Sequence, residues 1–256
     1  MTKIPTLEEL MKAGLHFGHH KSKWHPKMAQ YIFTQKNKLH IVDLEKTQKQ
    51  LEKACKFITQ TVASGGTVLF LGTKKQAQKI VREAAQDCGA AFITERWLGG
   101  TLTNAHSVLG LVKKFRQMKR ERDNGKLDRF TKREQLVHQR KIEKMEPLIG
   151  GFENLTKIPD AIFVIDVKNE KTAVVEANKM GVPVVALCDT NINPDRVDYV
   201  IPGNDDAIKS IKLIVETVAE AVKEGKAAPK VNKEAKGGVR MPNAVVKATP
   251  KKQENK

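Results

Sequence analysis

The sequence predicts an α/β fold, in which five parallel strands form a doubly wound sheet and a helical hairpin is inserted into it. Three observations support this prediction: short apolar runs alternate with helical patterns, the connections between them are short, and one long charged segment interrupts the alternation. Strands that are separated by helices and joined by short loops require a parallel sheet with right-handed crossovers. We therefore expect a doubly wound strand order.

Five apolar runs are predicted to form the strands. The first, TVLFLG at residues 67–72, is a continuous run of the kind expected for a strand that is buried on both faces. The predicted strands are residues 67–72, 91–94, 161–167, 182–189 and 199–202. Apolar residues at helical spacing predict helices at residues 43–62, 74–87, 170–180 and 205–224. Gly65, Gly89 and Gly181 indicate where three of these helices end.

The N-terminal segment does not follow the sheet pattern. Thr6 and Glu9 are spaced as a capping box, which predicts a short helix that ends at Gly14. Residues 16–33 combine glycine and proline with clustered histidines and lysines. We therefore expect an irregular loop there.

The segment from residue 104 to residue 150 predicts an antiparallel coiled-coil α-hairpin. Val112, Phe115 and Met118 follow helical spacing, and a second helix is predicted to begin with a capping box at Thr131. Narrow apolar stripes with dense charge are typical of two helices that pack on each other. Residues 113–146 hold 13 Lys and Arg against six acidic residues, so we expect the hairpin to protrude from the sheet domain.

These patterns divide the chain into four parts. Residues 1–40 form a basic N-terminal helix and loop, and residues 41–103 and 151–223 form the sheet domain. Residues 104–150 form the hairpin insertion. Residues 224–256 form a basic tail, which is expected to be disordered unless bound because it lacks periodic apolar spacing.

The positive charge of the chain is concentrated outside the sheet domain. The chain carries 46 Lys and Arg against 29 Asp and Glu, a net charge of +17. Residues 1–53, 113–146 and 223–256 carry +5, +7 and +7, whereas residues 54–112 carry +3 and residues 147–222 carry −5. This distribution predicts a folded scaffold whose basic segments bind an anionic polymer or surface.

Cysteine usage and hydropathy indicate the compartment. Cys55, Cys88 and Cys188 are far apart and form no CxxC pair, so neither a disulfide framework nor a thiolate zinc site is predicted. No apolar run approaches the length of a membrane span, and the first residues lack the features of a targeting peptide. We therefore expect a cytoplasmic protein without a membrane partner.

The motifs of nucleotide-binding enzymes are missing from the predicted sheet. The turn after the first strand, GTKK at residues 72–75, has one glycine and is neither a dinucleotide-binding motif nor a P-loop. We interpret it as an ordinary turn with lysines near the surface. Asp166 and Asp189 end two strands, where a carboxylate can act as a base or bind a metal but more often caps the next turn. The sequence therefore predicts no enzyme, no cofactor and no small-molecule substrate.

Four histidines near the N-terminus could bind a metal. His16, His19, His20 and His25 lie within ten residues, and imidazole is a common zinc ligand. A structural zinc site usually includes cysteines, however, and the lysines among these histidines would repel a cation. We therefore predict no metal site and assign the cluster to a surface that contacts nucleic acid.

Three groups of residues are predicted to bind RNA. In the N-terminal loop, lysines can neutralise phosphates while Trp24 and His25 stack on bases, although Trp24 can equally belong to a small apolar cluster under the loop. In ERWLGGTLTN, residues 95–104, the two glycines either allow close approach to a partner or only provide the bend before the hairpin. The predicted RNA-binding residues are Lys21, Lys23, Trp24, His25, Lys27, Arg96, Trp97, Asn104, Lys113, Lys114, Arg116, Lys119 and Arg120.

Five distinctive strings occur along the chain. In order, they are GLHFGHHKSKWHPKM, FLGTKKQA, ERWLGGTLTN, PDAIFVIDV and VPVVALCDTNINPDRVDYVIPGNDDAIKSI. Together they resemble the ribosomal protein S2 family of the small ribosomal subunit, in its bacterial or organellar form. The resemblance covers residues 7–224 and leaves the basic tail outside it.

The resemblance implies a flavodoxin-like parallel sheet, a protruding coiled-coil hairpin and no catalytic activity. It also implies binding to small-subunit ribosomal RNA on the solvent side, between head and body, and docking of ribosomal protein S1 in translation initiation. The residues alone leave two other interpretations open. One is an enzyme that acts on a nucleotide or small anion at the carboxyl edge of the sheet, and the other is an adaptor that binds acidic proteins or membranes.

Overall fold

The central element of the structure is a parallel sheet of five strands. The structure is a computed structural model, and it describes residues 2–125 and 131–228. The strands are β4 (Val68–Leu71), β5 (Ala91–Ile93), β6 (Ala161–Ile165), β7 (Val184–Cys188) and β8 (Tyr199–Pro202). They lie in the order β5-β4-β6-β7-β8, and all four pairings are parallel. Counted within this sheet the order is 2-1-3-4-5, so the prediction of a doubly wound, flavodoxin-like sheet is confirmed.

Helices cover both faces of the sheet. They are α2 (Leu44–Ala63), α3 (Lys75–Cys88), α6 (Lys171–Met180) and α7 (Ile208–Ala227). The two faces form separate apolar clusters, because successive strand residues point in opposite directions. Val68 and Phe70 pack with α2, α3 and α7. Leu69 and Leu71 pack with α6 and with the two helices of the inserted segment.

The predicted helix ends agree with the structure at two glycines and differ at the last helix. Gly89 and Gly181 follow α3 and α6 with left-handed φ angles of 63° and 67°. The helix predicted from residue 205 begins instead at Ile208, because the Asn204 side chain accepts hydrogen bonds from the backbone N–H groups of Asp206 and Ala207. These bonds form a turn that precedes the helix.

The expectation of an irregular loop at residues 16–33 is wrong. A short helix, α1 (Leu7–Lys12), is followed by β1 (Phe17–His20), β2 (Ile32–Lys36) and β3 (Leu39–Val42), which form a small antiparallel sheet in the order β1-β3-β2. Asn37 and Lys38 make the hairpin turn with φ angles of 51° and 63°. Positive φ at both central residues is the geometry that matches the strand twist. We call residues 17–42 the N-terminal module.

The N-terminal module lies on the carboxyl ends of β7 and β8. The backbone N–H of His25 donates to the carbonyl of Thr190 at 2.8 Å, and the backbone N–H of His19 donates to the Thr190 hydroxyl at 3.0 Å. Just before the module, the carbonyl of Leu15 accepts from the backbone N–H of Asn204 at 3.1 Å. The module therefore covers the part of the carboxyl edge formed by β7 and β8, which lies beside the switch point between β4 and β6 at which sheets of this topology bind ligands.

The inserted segment contains two helices, α4 (Ala105–Asp123) and α5 (Lys132–Ile149). The capping box predicted at Thr131 is present. Val112, Phe115 and Ile142 are buried in the cluster that also covers one face of the sheet, so the apolar stripes of both helices pack towards the sheet domain. The two helices also contact each other. Their antiparallel coiled-coil pairing stays a prediction, since residues 126–130 between them lie outside the described residues.

The C-terminal helix extends further than expected. It continues to Ala227, past residue 224 at which the basic tail is predicted to begin. The rest of the predicted tail, residues 229–256, lies outside the described residues. In the part of the chain that the structure describes, no helix has both the length and the apolar content to span a membrane.

Replacing Gly18 by valine is expected to loosen the N-terminal module. A Cβ atom at residue 18 would lie 2.7 Å from Cγ2 of Thr190 and 3.1 Å from the carbonyl oxygen of His40. Overpacking of this kind lowers the free energy of unfolding by about 1–3 kcal/mol, which urea denaturation measures. Gly99→Val is the matched control, because a Cβ atom there meets no atom within 4 Å. An unchanged midpoint for Gly18→Val would contradict this packing.

Candidate nucleic-acid interface

The carboxyl edge of the sheet holds a partly buried cluster of ion pairs. Lys74, which follows β4, lies with its ammonium 3.0 Å from Asp205, 2.6 Å from Asp206 and 3.5 Å from Asp166. The side chain of Lys74 is 13% exposed. The turn is expected to place its lysines near the surface, and Lys75 is exposed, whereas Lys74 is partly buried among three carboxylates that are distant in sequence. We call Lys74, Asp166, Asp189, Asp205 and Asp206 the acidic cluster.

The charges of the acidic cluster shift the pKa values of its members. Burial raises the pKa of Asp205 to about 7, and the neighbouring carboxylates Asp166 and Asp189 act in the same direction. Burial opposes the charged form of Lys74, but hydrogen bonds and attraction to Asp206 and Asp205 outweigh it and raise the pKa of Lys74. One cation thus stabilises several carboxylates, of which Asp205 is buried and Asp206 is 57% exposed.

The two aspartates predicted at strand ends have structural partners. Asp166 accepts hydrogen bonds from the backbone N–H groups of Lys168 and Asn169 at 3.1 and 3.2 Å, and so caps the turn after β6. Asp189 accepts from the backbone N–H of Thr190 at 2.5 Å and lies 2.9 Å from Nδ1 of His19. Both carboxylates are therefore engaged in holding turns and the N-terminal module.

One histidine of the predicted cluster reaches the acidic cluster. Nδ1 of His19 contacts Asp189, and its Nε2 lies 3.8 Å from Asp206. The hydrogen bond to Asp189 raises the pKa of His19 despite partial burial. The ligand atoms of these three residues lie within 4.8 Å of one another, a spacing that could hold a metal ion. His20 and His25 instead accept from the backbone N–H groups of residues 22 and 27.

The carboxyl edge of the sheet is a poor site for a phosphate-bearing ligand. Carboxylates outnumber the one lysine of the cluster, and the N-terminal module lies over the strand ends. A cleft of about 830 Å³ opens elsewhere, at residues 66–68 and 89–92, which are the amino ends of β4 and β5. Ligands in doubly wound sheets bind at the opposite edge.

Most of the predicted RNA-binding residues of the N-terminal module are exposed. Lys21, Lys23 and Lys27 are exposed and His25 is half-buried. Lys27 forms an ion pair with Asp195, which reduces its availability to a phosphate. Trp24 is 38% exposed, and its ring centroid lies 5.0 Å from that of the buried His40. Trp24 lies outside both apolar clusters of the sheet domain, and the exposed part of its ring is accessible to a partner.

The assignment of Trp97 to the RNA-binding surface is wrong. Trp97 is 8% exposed, and its indole N–H donates to the carboxylate of Glu176 at 3.1 Å. A ring in this position cannot stack on a base. Arg96 and Asn104, at the two ends of the same loop, are exposed as the prediction requires.

The five predicted cations of α4 fall into two groups. Lys113, Lys114 and Arg120 are exposed. Arg116 is half-buried and donates to the carbonyl of Leu155 at 3.2 Å. Lys119 is also half-buried, and its ammonium lies 3.0 Å from Glu153 and 3.4 Å from Glu146. Arg116 and Lys119 thus have partners within the protein. The exposed side chains of Lys113, Lys114 and Arg120 carry the charge that a polyanion could reach.

Glu176 is a buried acid that the sequence analysis did not identify. It lies on α6 and is 6% exposed. Burial opposes its ionised form, but hydrogen bonds from Gly100 and Trp97 outweigh this effect, so the pKa of Glu176 is below its ordinary value. The one available signal was an acidic residue between Val175 and Ala177 on a helix that is otherwise apolar at these positions.

Comparison with known proteins identifies the family. The model of the family described as Ribosomal protein S2 matches residues 10–225. This chain belongs to the ribosomal protein S2 family. Three curated relatives, each named small ribosomal subunit protein uS2, come from strains 195, BAV1 and CBDB1 of Dehalococcoides mccartyi. Each is 49% identical to this chain over 230 residues, which cover 89% of this chain and 94% of the relative.

Members of the ribosomal protein S2 family are structural, non-enzymatic constituents of the small ribosomal subunit, and this chain shares that role in translation. The sequence-based prediction that the chain is not an enzyme is thereby confirmed. The family assignment also agrees with the chemistry of the carboxyl edge, where carboxylates surround Lys74 after β4 and the N-terminal module covers the ends of β7 and β8.

The acidic cluster predicts a specific dependence of stability on pH. The pKa of Asp205 is about 7 in the folded protein, against an ordinary value of 3.8. Its contribution to stability is therefore fully present below pH 3.8 and is lost as the pH rises through 7. His19, whose pKa is also raised, acts in the same direction.

Asp205→Asn is expected to reduce the loss of stability between pH 5 and pH 8, because asparagine does not ionise there. The measurement is the free energy of unfolding at a series of pH values for the variant and the unmodified protein. Asp123→Asn, at an exposed position on α4, is the matched control and is expected to leave the pH profile unchanged. Parallel profiles for Asp205→Asn and the unmodified protein would contradict the environment described for Asp205.

Proposed function

We propose that the protein binds small-subunit ribosomal RNA through basic residues on the N-terminal module, the loop before α4, and α4 itself. In this proposal the sheet domain is a rigid support for these segments and has no catalytic role. The observation that carries it is the separation of charge: exposed cations lie on these appendages, whereas residues 147–222 of the sheet domain carry a net charge of −5. The proposed contacts are Lys21, Lys23, Arg96, Asn104, Lys113, Lys114 and Arg120.

The N-terminal module supports the proposal most directly. Between Glu9 and Asp43 the sequence contains six lysines and no acidic residue. Such a segment attracts phosphates without any repulsive charge of its own. Lys27 can join the contacts if RNA displaces Asp195, and Trp24 and His25 can contact sugars or unpaired bases with the parts of their rings that remain exposed.

The mode of recognition follows from the scarcity of aromatic residues at the surface. Trp97 is buried and Trp24 is only 38% exposed. Sequence-specific RNA recognition usually relies on bases that stack on aromatic side chains. We therefore propose that the protein recognises the shape of folded RNA and holds several RNA segments at once.

The position and partners of the protein are proposed from its family resemblance. We place it in the cytoplasmic ribosome, on the solvent side of the small subunit between head and body, where it supports docking of ribosomal protein S1 and so translation initiation. The antiparallel coiled-coil pairing of α4 and α5 and the division into four segments are part of the same proposal. The basic residues of the sequence after residue 228 are assigned to RNA by charge alone.

Sedimentation of a cell extract tests the proposed function. We expect the chain to travel with the small subunit in a one-to-one ratio and to lose most of its association after nuclease treatment. A predominantly free pool would contradict the proposal. Association that survives digestion of the RNA would favour an adaptor that binds proteins.

Reversal of the exposed charges on α4 tests this part of the interface. The triple variant Lys113→Glu, Lys114→Glu and Arg120→Glu is expected to reduce incorporation into small subunits by about tenfold or more, because three attractive contacts become repulsive. Quantification of the variant in purified subunits measures this effect. The matched control reverses Lys168, Lys171 and Lys179, three exposed lysines of the sheet domain. Equal incorporation of both triple variants would exclude α4 as an RNA contact.

A further inference from the structure

The loop that joins β5 to α4 is held by one buried carboxylate. Oε1 of Glu176 accepts from the indole N–H of Trp97 at 3.1 Å and from the backbone N–H of Gly100 at 2.8 Å. Oε2 accepts from the backbone N–H of Leu102 at 3.0 Å, and from the backbone N–H and the hydroxyl of Thr103, both at 3.2 Å. Five donors from seven consecutive residues thus converge on a single side chain of α6.

Convergence of this kind fixes the shape of the loop. A carboxylate has room for about four hydrogen bonds at its two oxygens, so five donors saturate it. Gly100, whose N–H donates to Glu176, has a φ of 90°, which residues other than glycine rarely adopt. The carbonyl of Gly100 in turn accepts from the backbone N–H of Asn104 at 2.8 Å, which connects the loop to the first turn of α4.

The exposed positions of this loop are the predicted contacts with RNA. Arg96 directly precedes Trp97, and Asn104 directly follows Thr103, so each is one residue away from a donor to Glu176. The orientation of Asn104 is fixed further by Ser107, whose hydroxyl donates to its Oδ1 at 3.0 Å. Gly99 is exposed and has open space around it, which leaves the backbone accessible between these two side chains.

We propose that Glu176 is a positioning residue for RNA binding: its carboxylate holds residues 96–104 in the conformation that presents Arg96 and Asn104 to the RNA backbone. This inference rests on the proposed function and names a residue that does not itself touch RNA. Its physical basis is preorganisation, since a loop that is ordered before binding loses less conformational entropy when it binds.

Glu176→Gln separates this role from a general loss of stability. Glutamine has nearly the same shape, but one of its two acceptors is replaced by an NH₂ group that faces N–H donors. The loop is expected to lose hydrogen bonds at Gly100 or at Leu102 and Thr103. Faster hydrogen exchange of these amides, with unchanged exchange in the strands of the sheet, is the expected structural readout.

The functional readout is a double-mutant cycle, with in vitro transcribed small-subunit ribosomal RNA as the probe and the full chain as the protein. Glu176→Gln is expected to weaken binding at least fivefold. The combined change Arg96→Ala and Asn104→Ala is expected to weaken binding in the unmodified background but to have little further effect in the Glu176→Gln background, because that loop is already misplaced. Lys21→Ala with Lys23→Ala is expected to have the same effect in both backgrounds.

Two controls keep the test decisive. Ile214→Ala truncates a buried residue on the opposite face of the sheet and so lowers stability in general. When it replaces Glu176→Gln in the cycle, its effect on binding is expected to add to that of Arg96→Ala and Asn104→Ala. Thr103→Val removes one donor to Glu176 and tests the same idea if Glu176→Gln does not fold. It is expected to weaken binding less than Glu176→Gln and to show the same non-additivity with Arg96→Ala.

Each outcome distinguishes this inference from the proposed function. Additive effects of Glu176→Gln and the loop variants, or unchanged binding by Glu176→Gln, would overturn the inference alone, provided that the unmodified protein binds the RNA. Failure of the unmodified protein to bind at low ionic strength would overturn the proposed function, and the inference with it.

Discussion

The closure of the carboxyl edge of the sheet is the constraint on which the rest of the structure depends. In a doubly wound sheet this edge is open and binds ligands. Here the buried ammonium of Lys74 balances part of the charge of Asp166, Asp205 and Asp206, and His19 joins the N-terminal module to Asp189. Burial of carboxylates without these partners would be strongly unfavourable. At the switch point, Lys74 and Asp166, which follow β4 and β6, thus pair with each other, and the N-terminal module covers the neighbouring ends of β7 and β8.

Because the carboxyl edge of the sheet is occupied by the protein's own residues, the functional part of the molecule is its surface. The N-terminal module and the α4–α5 segment, with the loop before it, carry the exposed cations of the proposed interface, and both are anchored to the sheet domain by buried polar groups. Thr190 holds the module through its carbonyl and hydroxyl. Glu176 holds the loop before α4 through five donors. Cations mounted on ordered segments contact a folded polyanion at lower entropic cost than cations on a flexible chain.

The parallel sheet could be predicted from the sequence because its strands are continuously apolar and its helices end at Gly89 and Gly181. Both signals depend only on residues that are close together in the sequence. The small antiparallel sheet could not be predicted, because β1 pairs with β3 across about twenty residues and its turn, Asn37-Lys38, contains no glycine. The roles of Lys74 and Glu176 depend on partners that are 131 and 79 residues away, and spacing along one sequence does not reveal such pairs.

The dependence of RNA binding on salt tests the central claim most directly, since each lysine or arginine that neutralises a phosphate releases counterions. The six exposed cations of the proposed interface, on three separate segments, predict a slope of log K against log salt concentration of about −5 for duplex-like RNA. The measurement uses the full chain and small-subunit ribosomal RNA over a series of salt concentrations. A slope near −1 would contradict an interface formed by several basic appendages on an inert sheet domain.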